Sequence, residues 1–309
     1  MSPKGTPSPG MESLFPIFDL GKYLPMSRIS KALEALGLIF RNPWLLNKVL
    51  EEDRIWKKKV IKQFGFSSGL PVIMPGEIFG EFTETVDPFA FLDGGSLPTD
   101  LALLKKLARR IPNCSYFEIG TWRGESVANV AAVAETCMTL SLSEVEMKEL
   151  GMNQSYINMH RFFSRNISNI VHLEGNSLTY DFQLLKQKFD LIFIDGDHRS
   201  EMVKNDTEKV FRHLVHENTV VVWHDYARNP ETVRFEVLAG ILEGCPPSMH
   251  KNIFHIAHTL CAVFLPGQTG GKRLVVPVEP SGSFQVDIRF FEGTPAQGLE
   301  SRSGVLPSD

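Results

Sequence analysis

The chain has little cysteine, no long apolar run and no excess of positive charge, and each shortage closes off a class of protein. Its four cysteines, Cys114, Cys137, Cys245 and Cys261, stand far apart with no Cys-x-x-Cys pair. That sets aside a zinc or disulfide framework and points to buried thiols in a reducing compartment. No uninterrupted apolar stretch is long enough to cross a bilayer, and the opening MSPKGTPSPGMES lacks the apolar centre of a signal peptide. The expectation is a cytoplasmic protein. A net charge of -4 argues against non-specific nucleic-acid binding, which needs a basic face. What is present is ordinary: 309 residues, 43% hydrophobic and 22% charged, enough for one large domain or two modest ones.

Residues 1–13, rich in Pro, Ser and Gly, read as a disordered tail, and residues 14–95 as a helical N-terminal cap and linker. Within the cap, Leu33, Leu36, Ile39 and Phe40 recur at helix spacing, and Pro43 opens a second helical stretch. That stretch interleaves Trp44, Leu45 and Trp56 with Lys57, Lys58, Lys59 and Lys62. A face resting on a membrane surface is one reading, and a helical lid with solvated lysines is the other. The acidic run Glu51-Glu52-Asp53 favours the lid. Residues 66–98 look like a Gly/Pro-rich linker wrapping the core. From there to residue 266, apolar strands alternate with helical patterns, including single helices at 144–165, 200–213 and 231–243. Such alternation predicts an α/β fold: a Rossmann-like, seven-stranded, mostly parallel sheet covered on both faces. The last two strands are too close for a crossover helix, so the last must run antiparallel. Residues 267–309 form a loop-rich C-terminal extension with one further strand at 284–290.

The chemistry starts where the apolar strand Tyr116–Ile119 stops at Gly120, with Gly124 at the mouth of a helix beginning at Glu125. A strand running into a glycine turn at a helix N-terminus is how α/β proteins hold small anionic ligands. A dinucleotide fingerprint needs Gly-x-Gly-x-x-Gly, and here Trp122 stands where the second glycine must admit a pyrophosphate. A nicotinamide cofactor is thereby opposed, and the Gly-Lys-Ser/Thr of a nucleotide-binding loop is absent. What remains is acidic-x-Gly-x-x-x-Gly. Gly120 and Gly124 let backbone come close to a ligand, while Glu118 offers a carboxylate to a cationic or amine group. A tight turn with no ligand is the plainer alternative.

This pattern resembles motif I of the class I S-adenosylmethionine-dependent methyltransferases, and the resemblance spans roughly residues 95–265. It implies S-adenosylmethionine as cofactor, with Glu118 orienting the methionine end and Gly120, Thr121 and Gly124 lying against it. The family places an acidic residue at the end of the second strand, where it accepts from both ribose hydroxyls. Here Ser141 stands at that point and Glu144 three residues later, so either Glu144 reaches back or the ribose is held weakly. Asn176-Ser177 replace the Asp-Ser often found beside the adenine amine, and an asparagine carbonyl can still accept from that group.

Two neighbouring strand ends carry the rest, Asp195-Gly196-Asp197-His198 and His224-Asp225-Tyr226. Ionisable groups crowded on one rim cost too much unless paired, ligated or solvated. Capping histidines with water-facing aspartates are the plainer alternative. The pattern resembles the small-molecule O-methyltransferases of the catechol type and of the macrocin or methyltransferase-24 type. In the catechol type an aspartate ending the fourth strand binds magnesium, Asp-Asn ends the fifth, and a lysine base follows the first aspartate by three. Carried over, Asp195 is a metal ligand at the cofactor's edge, completed by His224, Asp225 or both, and His198 is the base, with His224 next in line. Oxygen ligands suit Mg2+, and a histidine among them tilts towards manganese, iron or zinc.

The resemblance therefore implies a methyltransferase domain over residues 96–266 that methylates a hydroxyl of a sugar or other small metabolite, probing neither nucleic acid nor, on balance, a membrane. A homo-oligomer stays open. A hydroxylase-like member of the same family is the nearest rival, and a catalytically inactive cofactor-binding scaffold, favoured by Ser141, is the other.

Overall fold

The computed structural model describes residues 27–43, 53–280 and 282–290. The chain divides into two compact units, Met1–Glu52 and Asp53–Asp309. Helix α1 (Arg28–Arg41) belongs to the first, and the Ser27 hydroxyl caps it by accepting from the Ser30 N–H at 3.1 Å. The tail at 1–13, Trp44, Leu45 and Glu51-Glu52 lie outside the described residues.

The second unit begins with α2 (Arg54–Phe64), β1 (Val72–Ile73), α3 (Pro75–Phe79) and α4 (Pro98–Arg109). Then come β2 (Ser115–Ile119), α5 (Glu125–Ala131), β3 (Thr136–Ser141), α6 (Glu144–Glu149), α7 (Gln154–Met159) and β4 (Ile170–Glu174). The chain continues through β5 (Leu191–Ile194), α8 (Ser200–His213), β6 (Val220–Trp223), and the small hairpin β7 (Ala227–Asn229) and β8 (Thr232–Val233). Helix α9 (Phe235–Gly244), β9 (Ile253–Ile256) and β10 (Ala262–Phe264) complete it.

Eight strands form one sheet in the order β1-β9-β10-β6-β5-β2-β3-β4. Every pairing is parallel except those of β10, which runs antiparallel to both β9 and β6. This is the expected Rossmann-like sheet with its antiparallel last strand. The strand beyond the expected seven is β1, where Val72 and Ile73 pair with His255 and Ile256. The segment read as a wrapping linker thus supplies a sheet edge.

Both faces of the sheet are covered, so the central strands are buried along their length and successive side chains alternate between two cores. Phe117, Ile119, Ile192, Ile194, Val221 and Trp223 enter one core cluster. Tyr116, Leu191, Phe193 and Val222, their alternating neighbours, enter the other. On the first face α8 and α9 cross closely, because Gly240 and Gly244 carry no side chain. A Cβ at Gly240 would strike Ser200 O and Val203, and one at Gly244 would strike Lys204 O and Thr207.

Three elements differ from expectation. The helix read across 144–165 is two short helices, α6 and α7, separated at Gly151, whose φ of 78° cannot continue a helix. Residues 227–233 fold as the β7–β8 hairpin, so the next helix starts at Phe235 and not at 231. Residues 284–290 form no strand and pair with no neighbour among the described residues, leaving Phe284, Val286, Ile288 and Phe290 exposed. Helix α2 packs on α9, and Trp56 belongs to the partly buried ring around the core. Lys59 lies over the Trp56 ring at 4.9 Å and pairs with Glu243 at 2.5 Å, and Lys57 lies over Phe235 at 5.1 Å. These groups are used within the fold. No helix among the described residues is long and apolar enough to cross a membrane.

Candidate active site

Backbone bonds carry the parallel ladder one step past each strand. Gly120 N–H donates to Leu140 O at 2.9 Å, Asp195 N–H to Ile119 O at 2.8 Å, His224 N–H to Ile194 O at 3.0 Å, and Gly175 N–H to Ser141 O at 2.9 Å. The residues following β2, β5 and β6 and the last residue of β3 therefore stand side by side on one edge, at the carboxyl ends of the parallel strands. In open α/β sheets that edge is where ligands bind.

Both glycines of the turn are left-handed, with φ of 89° at Gly120 and 85° at Gly124. What crowds them is the protein itself. A Cβ on Gly120 would run into the Asp195 carbonyl and Gly196, and one on Gly124 into the Ser164 side chain. Gly120 lets the tips of β2 and β5 close together, and Gly124 makes room for Ser164.

Glu118 is fully buried and shares the face of Tyr116, whose hydroxyl donates to it at 2.6 Å, while Thr121 Oγ1 donates at 3.0 Å. Burial is the strongest influence on its carboxyl and outweighs the hydrogen bonds of Tyr116, Ser126 and Thr121, pushing it up to about 7. Beside the turn, Trp122 stacks on Tyr156 with ring centroids 5.2 Å apart. Arg123, buried, lies over the Trp122 ring at 4.2 Å and bonds Glu125 at 2.9 Å. Trp122 Nε1 and one terminal nitrogen of Arg123 are buried donors without a partner among the described residues.

Ser141 sits where a ribose-reading carboxylate was expected, and its hydroxyl is already engaged. His160 Nε2 lies 3.0 Å from it and an Arg161 terminal nitrogen donates to it at 3.1 Å. His160 also bonds the Thr121 backbone, so its ring bridges the glycine turn and the β3 tip. Burial first, then the Arg161 charge, drops this imidazole to about 4, so it is neutral. Arg161 holds φ at 59°, bonds Glu174 at 3.2 Å and Leu173 O at 3.1 Å, and donates its backbone N–H to Trp122 O at 2.6 Å. Glu144 is not brought to Ser141: it is exposed at the start of α6 and pairs with Lys148 at 2.5 Å. Asn176 Oδ1 accepts from the Leu178 N–H at 3.0 Å, and the Ser177 hydroxyl bonds Asp206. Neither is at the turn's own contacts, but both follow the β4 tip beside Ser141.

The strongest convergence is at β5 and β6. His224 is buried, with Nδ1 3.0 Å from Asp195 Oδ1 and 3.3 Å from Asp225 Oδ2, and Nε2 3.2 Å from Asp100 Oδ2. Burial alone would lower its pKa, yet Asp195, Asp100 and Asp225 together hold it well above the usual range. Asp225 adopts φ 54°, and its Oδ2 also lies 3.2 Å from Nε2 of the half-exposed His198, with Arg234 3.5 Å from Oδ1. One ligand atom from each of Asp195, His224 and Asp225 lies within 4.8 Å of the others, a span that fits a metal ion. Asp197 does not join them: it turns out to Arg199, with contacts between 2.5 and 3.0 Å.

Four residues here escaped the sequence. Tyr156, His160 and Arg161 come from the α7 segment, which carries no motif. Asp100 stands in the first turn of a helix, where no motif marks it.

Residues 117–226 match the family model described as a methyltransferase domain, methyltransferase 24. No curated protein matches the chain. Among solved structures the chain is similar to the calicheamicin methyltransferase CalS11, at 13% identity over 55% of this chain and 79% of that one, with a TM-score of 0.40. It is similar to cofactor-bound Rv0187 from MTB at 18% identity over 57% and 83%, TM-score 0.40. A third is the O-methyltransferase from Bacillus cereus in complex with SAH, at 16% identity over 72% and 96%, TM-score 0.40.

Proposed function

We propose that this chain, a class I S-adenosylmethionine-dependent methyltransferase of the methyltransferase-24 type through its residues 117–226, methylates a hydroxyl of a sugar or other small metabolite with the help of a divalent cation. The observation that carries this reading is the meeting of Asp195, His198, His224 and Asp225 on two adjacent strand tips beside the glycine turn. A cofactor-binding module has no need of a base next to a cation-ready carboxylate pair.

The residues fit both groups. Glu118 and the two orphaned donors beside it suit the zwitterionic methionine end of the cofactor. Asp195, Asp225 and one imidazole nitrogen suit a divalent cation. When bound, S-adenosylmethionine supplies a sulfonium methyl that an oxygen nucleophile displaces in line. A divalent cation at Asp195, His224 and Asp225 would supply Lewis acidity to the acceptor hydroxyl. His198 takes the hydroxyl proton: with Nε2 held against Asp225, Nδ1 is the nitrogen left to receive it, and the imidazolium formed is stabilised by that carboxylate. Asp225 thus serves both the cation and the base, which keeps them a fixed distance apart.

A scaffold that binds without catalysing is favoured by one observation, the engagement of Ser141 by His160 and Arg161. Release of S-adenosylhomocysteine across a panel of nucleotide sugars and polyols separates the two readings. His198→Ala should lower kcat by roughly 10²–10⁴-fold while calorimetric affinity for S-adenosylhomocysteine stays at the parent value. Turnover unaffected by both chelation and His198→Ala would remove the proposed chemistry.

A further inference from the structure

We propose that Asp100 is a positioning residue: it fixes the tautomer of His224 so that Nδ1, and not Nε2, faces the cation at Asp195 and Asp225. The inference rests on the metal reading above and deepens it.

Asp100 stands in the first turn of α4, fully buried, 124 residues from its partner in sequence. Its carboxylate is surrounded by donors. Oδ2 accepts from the Leu97 N–H at 2.7 Å, and Oδ1 accepts from the Leu260 N–H at 2.8 Å and faces the Cys261 thiol at 3.6 Å. A carboxylate in that setting is an acceptor at both oxygens. Nε2 of His224, 3.2 Å from Oδ2, must therefore carry a hydrogen, because a bare nitrogen there would set lone pair against lone pair. Nδ1 faces Asp195 and Asp225 in the same way and carries the ring's second hydrogen, so with Asp100 retaining the one on Nε2, Nδ1 is the nitrogen that a cation at Asp195 and Asp225 would free and engage. Three carboxylates around one buried ring, with only Arg234 and His198 beyond them on Asp225, leave a charge balance that a divalent cation at Asp195 and Asp225 would take over from the ring's own Nδ1 hydrogen. The ring has little freedom to choose otherwise. Its backbone is tied to Ile194 O, and it packs edge-on to Phe193 with centroids 5.8 Å apart.

Carboxylates behind a metal-ligating histidine orient it and strengthen it as a donor, and their loss typically costs about 10–100-fold in metal affinity. Asp100 also staples α4 to the β9–β10 turn through Leu260, so a purely structural role is the rival. The two roles separate in a titration of the full chain with Mn2+ alone, read by electron paramagnetic resonance. The parent should bind one ion, and Asp195→Asn should lose it. Asp100→Asn turns one carboxylate oxygen into an NH2 and removes the negative charge behind the ring, so at least one of the Leu97, His224 and Leu260 donors loses its acceptor and the hold on Nε2 weakens. Mn2+ should then bind 10–100-fold more weakly. Mn2+ affinity equal to the parent's, with only a lowered melting temperature, would make Asp100 a staple and overturn the inference. Should the variant fail to fold, nitrogen-15 imidazole spectra of the Zn2+-loaded parent decide: hydrogen on Nε2 with zinc on Nδ1 supports it, and the reverse overturns it. A parent that binds neither ion removes the metal reading, and Asp100's role falls with it.

Discussion

Glu118→Gln gives the most direct view of the electrostatics under the glycine turn. In the folded chain burial raises this carboxyl from an ordinary 4.5 to about 7. A difference of that size is worth about 3 kcal/mol between the two protonation states. The folded protein therefore binds the proton more tightly than the unfolded chain, so stability is fullest below about pH 4.5 and falls as pH rises to about 7, then levels off. Glutamine imitates the protonated acid and its hydrogen bonds to Tyr116 and Thr121 but cannot ionise. Its unfolding free energy should track the parent's at low pH and exceed it by about 3 kcal/mol at about pH 8. Urea denaturation of both proteins across that range, followed by tryptophan fluorescence, measures the difference directly, because every other titrating group contributes equally to both. A parent-to-variant gap that stays constant with pH would show that Glu118 has the same pKa folded and unfolded and that the burial argument is wrong.

Arg161→Gly keeps a residue at ease with φ 59° and removes the guanidinium from Ser141. S-adenosylhomocysteine should bind more tightly to the variant by calorimetry if Arg161 occupies the ribose position, and more weakly if it reads the ribose. The first outcome is expected, since both terminal nitrogens of Arg161 are already engaged by Glu174, Leu173 and Ser141. Tyr226→Phe strands the buried Leu70 N–H, which donates to the phenol at 2.9 Å, and should cost about 1–3 kcal/mol in thermal or urea unfolding. An unchanged midpoint would mean that water replaces the phenol.

The parts of this protein that can be read from sequence are those where function follows directly on a strand. Asp195, His198, His224 and Asp225 each come within four residues of an apolar run, so the alternation that announces the sheet also places them on one edge. Helix α8 was readable to the residue, because Met202-Val203 and Val210-Phe211 recur two turns apart between the strand-end cluster and the next apolar run. Asp100 was not, because its partner is His224, far along the chain, and a first-turn aspartate is what any helix prefers. The fate of Ser141 was equally hidden. It depends on His160 and Arg161, which reach it only because Gly151 breaks the helix and Arg161 takes a left-handed conformation. Strand β1 is two residues long and borrows its pairing from β9, so no periodicity could reveal it.

The bare backbone of α9 at Gly240 sets the height of the catalytic rim. Ser200 and Val203, the residues that a Cβ at Gly240 would strike, form the first turn of α8, and His198 lies two residues upstream of that turn. Spacing between packed helices depends on the side chains at their contact. One methyl group inserted there acts as a shim, lifting the start of α8 and drawing His198 away from Asp225 while β5 and β6 hold Asp195 and His224 still. In the proposed reaction, the gap between His198 and a cation at Asp195 and Asp225 would thus be tuned from the far side of the helix layer, and side-chain volume at residue 240 would be a means of detuning proton transfer without altering any group proposed to perform it.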